Sequence, residues 1–183
     1  MGRLKKLVAA TGGSEIAEAA LVLPILFMLL LGIYWFGRAF NVYATINHAA
    51  REGARAATAQ TCATCATPNQ GLSPDQVAAQ VSQALQASRI DPTQVTHPAT
   101  PPTRPACVTG APAVACSLPG ADPHICVYYN VRLPNLPPAA GSGAPACGVS
   151  VEFQYPYQFF FPFTSLNMQK IMLNAGVQMT GEY

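Results

Sequence analysis

From Ala19 to Phe36 the chain carries no charged residue. A run of about 18 uncharged, mostly apolar residues is close to the shortest helix that crosses a hydrocarbon core of about 30 Å. In lipid the backbone must satisfy its own hydrogen bonds, so a lone segment of this kind has to be helical. The sequence Gly12-Gly13-Ser14-Glu15-Ile16-Ala17-Glu18 leads directly into it. Glu18 is the unusual member. A carboxylate in a membrane helix costs about 2.5 to 3.5 kcal/mol at the helix centre and less toward its ends, so its position calls for a partner or a function. The bland alternative is an interfacial acid at a helix start, where the dipole favours negative charge. Glu15 fits that alternative better.

Arg3, Lys5 and Lys6 precede the apolar run, while Arg38, Arg51 and Arg55 follow it at wider spacing. Positive charge concentrated before a span keeps that side cytoplasmic, which places everything after Phe36 outside. Six cysteines, Cys62, Cys65, Cys107, Cys116, Cys126 and Cys147, all fall on that outer side. An even count in an exported domain reads as up to three disulfides whose connectivity the sequence leaves open. Net charge is only +2 and no basic stripe occurs, so nucleic acid is not an expected partner.

Residues 1–13 are short and basic, and Leu7-Val8-Ala9-Ala10 is too brief for the apolar core of a secretory signal. One long helix is expected from Ser14 to about Ala59, some 67 Å at about 1.5 Å per residue. Residues 14–36 form its membrane segment and 37–60 its extracytoplasmic continuation. Pro24 removes a backbone hydrogen bond inside the span and loosens or kinks it. Tyr34 and Trp35 mark the water interface. Ala49, Gly53 and Ala57 form a small-residue stripe that permits close approach of another element. That element is either the domain's own sheet or another subunit, and the amphipathic continuation favours the sheet.

Residues 61–183 read as a globular domain. A second helix opens with Ser73 as N-cap, Pro74 in the first turn, Asp75 at the positive end and Gln76 completing a capping box. Val77, Val81, Ala84 and Leu85 give it one apolar face, and it ends near Ser88. The proline-rich stretch 92–123 is irregular, stapled if at all by Cys107 and Cys116. Three period-two stretches predict antiparallel strands. The first alternates Val127, Tyr129, Val131 and Leu133 with polar neighbours. The second alternates Val149, Val151, Phe153 and Tyr155, and the third Ile171, Leu173, Ala175, Val177 and Met179. The first two suit a hairpin around residues 134–146. Its strand length of about 26 Å, against the limit of about 7 Å between bonded Cα atoms, argues against pairing Cys126 with Cys147. The predicted class is α+β: a long membrane helix, a short helix and a small disulfide-stapled antiparallel sheet.

The order Gly13, Glu18, Ala20-Leu21-Val22-Leu23-Pro24, Gly32-Ile33, Phe36-Gly37-Arg38-Ala39 and Ala49-Ala50-Arg51-Glu52-Gly53-Ala54-Arg55 resembles the N-terminal region of TadE-like pseudopilins of the tight-adherence (Tad, or Flp) pilus system. The resemblance covers about 45 residues; the remainder is similar only in pattern. It implies a pilin-like fold, anchoring in a bacterial inner membrane and cleavage of the leader 1–13 by a prepilin peptidase between Gly13 and Ser14. It further implies that Glu18 pairs with the free amine of a neighbouring subunit. Assembly with other pilins or pseudopilins and the Tad machinery is implied as well, with Glu18 and Pro24 as assembly residues. Leader removal takes three of the ten positive charges with it. The competing reading is an uncleaved, signal-anchored extracytoplasmic binding domain.

Nothing in the residues suggests an enzyme or a bound cofactor. No Ser-His-Asp set, acid pair or phosphate loop occurs. Cys62-Ala63-Thr64-Cys65 comes after a helix C-terminus rather than opening a helix, where a dipole would activate a thiol, so a structural role is favoured over thiol exchange. His124, Cys126 and Cys116 are zinc-ligand types without paired spacing in an oxidising setting, so no metal is expected. His48 and His97 have no evident partner. The run Tyr155 to Phe163 is either core aromatics flanking a strand end or an apolar patch facing a partner or the bilayer, with the core reading favoured.

Overall fold

A computed structural model describes residues 12–59, 72–98, 104–107, 125–133, 146–159 and 170–180. Two helices, α1 (Gly12–Thr58) and α2 (Pro74–Ala87), are followed by a 3-10 turn (Pro92–Gln94) and by the strands β1 (Cys126–Arg132), β2 (Cys147–Gln158) and β3 (Lys170–Thr180). Cys62 and Cys65, Cys116, His124 and Phe160 to Phe163 lie outside the described residues. So does the 134–145 connection of the β1–β2 hairpin.

Helix α1 is a single run of 47 residues that continues through Pro24. Two regimes succeed one another along it. From Ile16 to Phe40 its large apolar side chains are exposed except Leu31 and Trp35, which are half-buried. From Ile46 onward Ala49, Ala50, Gly53, Ala54 and Ala57 turn inward at helical spacing and are buried. Helix α2 packs there. Ser73 accepts from the Gln76 backbone N–H at 3.4 Å, and the Gln76 side chain accepts from the Ser73 N–H at 3.0 Å, completing both halves of the capping box. Its buried face comprises Val77, Ala78, Val81 and Leu85, with Ala84 partly buried. At its end Ile90 N–H reaches back to Leu85 O at 2.9 Å and Arg89 takes a positive φ of 59°, closing the last turn.

The sheet is antiparallel in the order β1-β2-β3. Val149, Val151 and Phe153 of β2, with Ala175 of β3, complete the core under the two helices. Each fully buried side chain of valine or phenylalanine size is worth about 1.5–3 kcal/mol. On the other face β1 and β2 are covered, while β3 stays exposed at Asn174, Gly176 and Gln178. The segment 104–107 pairs along the outer edge of β1 through Cys107 N–H to Asn130 O at 2.8 Å and Arg132 N–H to Pro105 O at 2.9 Å. Strand β2 is buried on both faces from Gly148 to Phe153.

Strand β1 departs from simple alternation. Its register against β2 shifts between Tyr128 and Val131, and Asn130 there has φ 55°. Asn tolerates the left-handed region better than most residues, and one extra residue in a strand reverses the facing of every residue beyond it. Val127 and Tyr129 therefore pack on the helix side, whereas Val131 and Leu133 join Cys126 and Tyr128 in a second cluster on the opposite face. The single-face set expected from the sequence is split by this bulge.

Cys107 is bonded to Cys147, with Cα atoms 5.5 Å apart and a separation of 40 in sequence. The expected Cys107–Cys116 staple is thereby corrected. The alternative rejected on length, Cys126 with Cys147, is not formed. Cys126 is itself disulfide-bonded, which removes its thiolate from the zinc-ligand set considered above.

A Cβ built on Gly53 would collide with Val81 Cγ2 and lie 3.6 Å from Val77 and 3.7 Å from Val151. A helical Gly→Ala change ordinarily gains about 1 kcal/mol, and Gly37, with nothing within 4 Å of its Cβ position, should behave so. Gly53→Ala should instead destabilise by about 1–3 kcal/mol through overpacking. Thermal unfolding of both variants in detergent checks the opposite signs. Cys147→Ser should cost about 2–5 kcal/mol, and peptide mapping under non-reducing conditions should recover the Cys107–Cys147 linkage in the parent chain.

Candidate functional site

The residues singled out in the sequence fall on α1 in three groups at different heights. Gly13 is helical and exposed, and the backbone of Ser14 is helical as well. Glu18 lies one turn further, about 6 Å along the axis from Ser14 at about 1.5 Å per residue. It is exposed, and among the described residues no basic side chain pairs with it. The first group is therefore a helix start that presents a carboxylate outward.

The second group is the exposed apolar stretch. It belongs to the one helix among the described residues that is long and apolar enough to cross a membrane, and none of its most apolar window is buried inside the protein. Burial of zero separates it from the core helix of a soluble domain, which meets the same length and composition criteria but is covered by its own fold. Leu21, Leu23, Ile25, Leu26, Phe27 and Met28 surround Pro24 and are all more than half exposed. A helix whose most apolar window is left unburied among the described residues is built for a lipid or a subunit-rich medium. Membrane anchoring by α1 accounts for this stretch.

The third group is the Ala49, Gly53 and Ala57 stripe. Its partners are α2 and β2 of the same chain. The stripe holds the globular domain against the upper half of α1, and it is not on the helix surface left free for other molecules.

Between the second and third groups the sheet reaches down to the helix. The Tyr157 hydroxyl donates to the Trp35 carbonyl at 3.3 Å. The Phe159 ring lies 5.0 Å from that of Tyr157 and 5.8 Å from that of Phe36. Arg38 stacks over Trp35 at 5.6 Å, a cation–π contact at the level where the apolar stretch ends. Tyr155 is partly buried in the core and Tyr157 is buried. For the described part of the aromatic run, packing against the helix and the sheet is thus the observed role. Elsewhere on α1, Phe40, Tyr43, Asn47, His48 and Arg51 line a shallow exposed groove. His48 has a carboxylate nearby after all: Glu52 Oε1 is 3.9 Å from its Nε2. His97 lies 3.0 Å from the Pro98 carbonyl through Nδ1.

Sequence reasoning missed the polar cluster on the far face of the sheet. Arg104 Nε donates to Glu152 Oε1 at 3.0 Å, its Nη2 meets the same oxygen, and Ser150 Oγ donates to it at 2.8 Å. Glu152 and Ser150 are buried. Burial raises the Tyr128 hydroxyl pKa above its ordinary value, and the Glu152 carboxylate adds to this while Arg104 opposes it. Burial likewise raises Tyr155, with Asp91 contributing. Alternation in β2 assigns Ser150 and Glu152 to a solvent face, and among the described residues Arg104, returning from a proline-rich stretch, meets Glu152 there. The signal available in sequence was a lone acid amid a strand, without its partner. With its carboxylate held by Arg104 and Ser150, this cluster is built for holding the 104–107 edge in place rather than for acid–base work.

No group of three or more His, Cys, Asp or Glu side chains that could hold a metal ion occurs among the described residues. No curated protein and no solved structure matches the chain. Residues 13–55, which contain Gly13, Glu18, Pro24 and the start of the small-residue stripe, match the family model described as TadE-like protein.

Proposed function

We propose that the protein is a membrane-anchored minor pseudopilin that helps initiate or complete a Tad-type pilus, a structural subunit rather than an enzyme. The TadE-like match over residues 13–55 supports association with that pilus system. The observation that carries the reading is the outward carboxylate of Glu18 at the mouth of an apolar helix that its own chain leaves bare.

In this reading a prepilin peptidase cuts between Gly13 and Ser14. The peptide bond to Ser14 is hydrolysed, and the new amine carries a positive charge below its ordinary pKa of about 8. That ammonium meets the Glu18 carboxylate of another subunit as the bare stretches of two helices come together. The pairing offsets the cost of holding each charge in an apolar medium. The apolar stretch leaves the bilayer for the filament or its base, while the disulfide-linked domain stays outside. The prepilin peptidase, other pilins or pseudopilins and the Tad assembly machinery are the partners this scheme requires. The inner membrane is the starting location, with the leader on the cytoplasmic side.

Mass spectrometry of the chain from cells that contain the peptidase should find Ser14 as the first residue. A chain that still begins at Met1 overturns the processing step and favours the uncleaved, signal-anchored binding domain. Glu18→Gln should leave processing intact and reduce surface pili by more than about tenfold, since breaking a buried ion pair costs about 3–5 kcal/mol. Undiminished piliation with normal processing excludes the pairing.

A further inference from the structure

Every large hydrophobic residue that is prominently exposed outside α1, among the described residues, lies at the start of β3: Ile171 at 48% and Met172 at 42%. Ile171 pairs with Tyr157 across the β2–β3 ladder, and Tyr157 is bonded to the Trp35 carbonyl. This end of the sheet therefore stands level with Trp35 and Phe36, where the apolar stretch of α1 ends. Phe36 and Phe40 are themselves 67% and 73% exposed.

We infer that the β2–β3 end of the globular domain is a second membrane contact, seated in the interface of the leaflet on its own side of the bilayer. The inference rests on the reading of α1 as the membrane anchor. Three features favour lipid over a protein partner. Ile171 and Met172 are successive strand residues and point to opposite faces of the sheet. A flat protein surface covers one face, whereas a fluid medium surrounds a tip on both. The patch also stands at the level of exposed Phe36 and Phe40, where the apolar surface of α1 ends, so one medium can meet both. Finally, the sequence carries no charge between Glu152 and Lys170. The exposed cations Lys170 and Arg38 then stand at this level, where long basic side chains reach lipid headgroups. Aromatic rings on the same level, Trp35 and Tyr157 among them, suit the polar–apolar boundary.

The far end of β3 supplies the control. Gln178 is exposed and lies about 23 Å further along the strand at about 3.3 Å per residue. Trp35 is the single tryptophan, so the full chain can be reconstituted in phosphatidylethanolamine–phosphatidylglycerol vesicles containing lipids brominated near the headgroup end of their acyl chains. Quenching of Trp35 in the parent chain reports the anchor. Ile171→Trp and Gln178→Trp, each made in a Trp35→Phe background, report the two ends of β3. The Cys107–Cys147 linkage is checked in each as evidence of folding, and Met172→Trp replaces Ile171→Trp if that chain misfolds. The expected result is bromolipid quenching at position 171 equal to that of Trp35, and none at 178. If Trp35 is quenched but position 171 is reached only by aqueous acrylamide, or is shielded from both quenchers, the second contact is overturned and the anchor stands. Equal quenching at 171 and 178 overturns it too, because the domain then lies flat. An unquenched Trp35 removes the anchor reading and the inference with it.

Discussion

One helix serves two surroundings, and everything else in the fold is arranged about the point where it passes from one to the other. Below Trp35, α1 is large, apolar and bare. Above Ile46 it offers alanines and Gly53 to a core made by α2 and the sheet. The upper half could not carry a leucine at Gly53, because Val81 already occupies the space a Cβ there would need. Backbone approach of this closeness brings β2 and α2 onto a helix that is too weakly hydrophobic in this half to be held by lipid.

The domain side answers that approach with a central strand, β2, covered on both faces. Phe153, Val151 and Val149 face the helices, and Ser150 and Glu152 face the segment that carries Arg104 and Cys107. The Cys107–Cys147 bond and the Arg104–Glu152 pair lock the same four-residue edge, one covalently and one through a charged hydrogen bond. A buried carboxylate left without its guanidinium would be costly. The disulfide keeps residue 104 close enough for that pairing. These two links hold residues 104–107, which lie in a proline-rich stretch poor in periodic pattern, against β1 and β2.

The aromatic end of β2 joins the two halves of the molecule. Tyr157 and Phe159 touch α1 at Trp35 and Phe36, so the lower end of the sheet cannot swing away from the helix without losing these contacts. The orientation of the domain relative to the apolar stretch is set there. The globular domain is accordingly held to the helix in a fixed attitude rather than on a tether.

The sequence by itself determined everything carried by local chemistry or by a repeating period. The charge-free run, the capping box at Ser73 and Gln76, the three strands and the resemblance of residues 13–55 were all legible, because each depends on neighbours within a few positions. The helix-facing set of β3 was legible for the same reason. Tertiary structure decided the rest. The bulge at Asn130 turns Val131 and Leu133 to the other face, and a period of two carries no mark of an inserted residue. The choice of Cys147 for Cys107 depends on chain return across 40 residues, about which cysteine spacing is silent. Burial of Glu152 required Arg104 to arrive from an aperiodic stretch. The stripe of Ala49, Gly53 and Ala57 announced close packing, but only the positions of Val77, Val81 and Val151 named the partner, since small residues reveal how near another element comes and not which element it is.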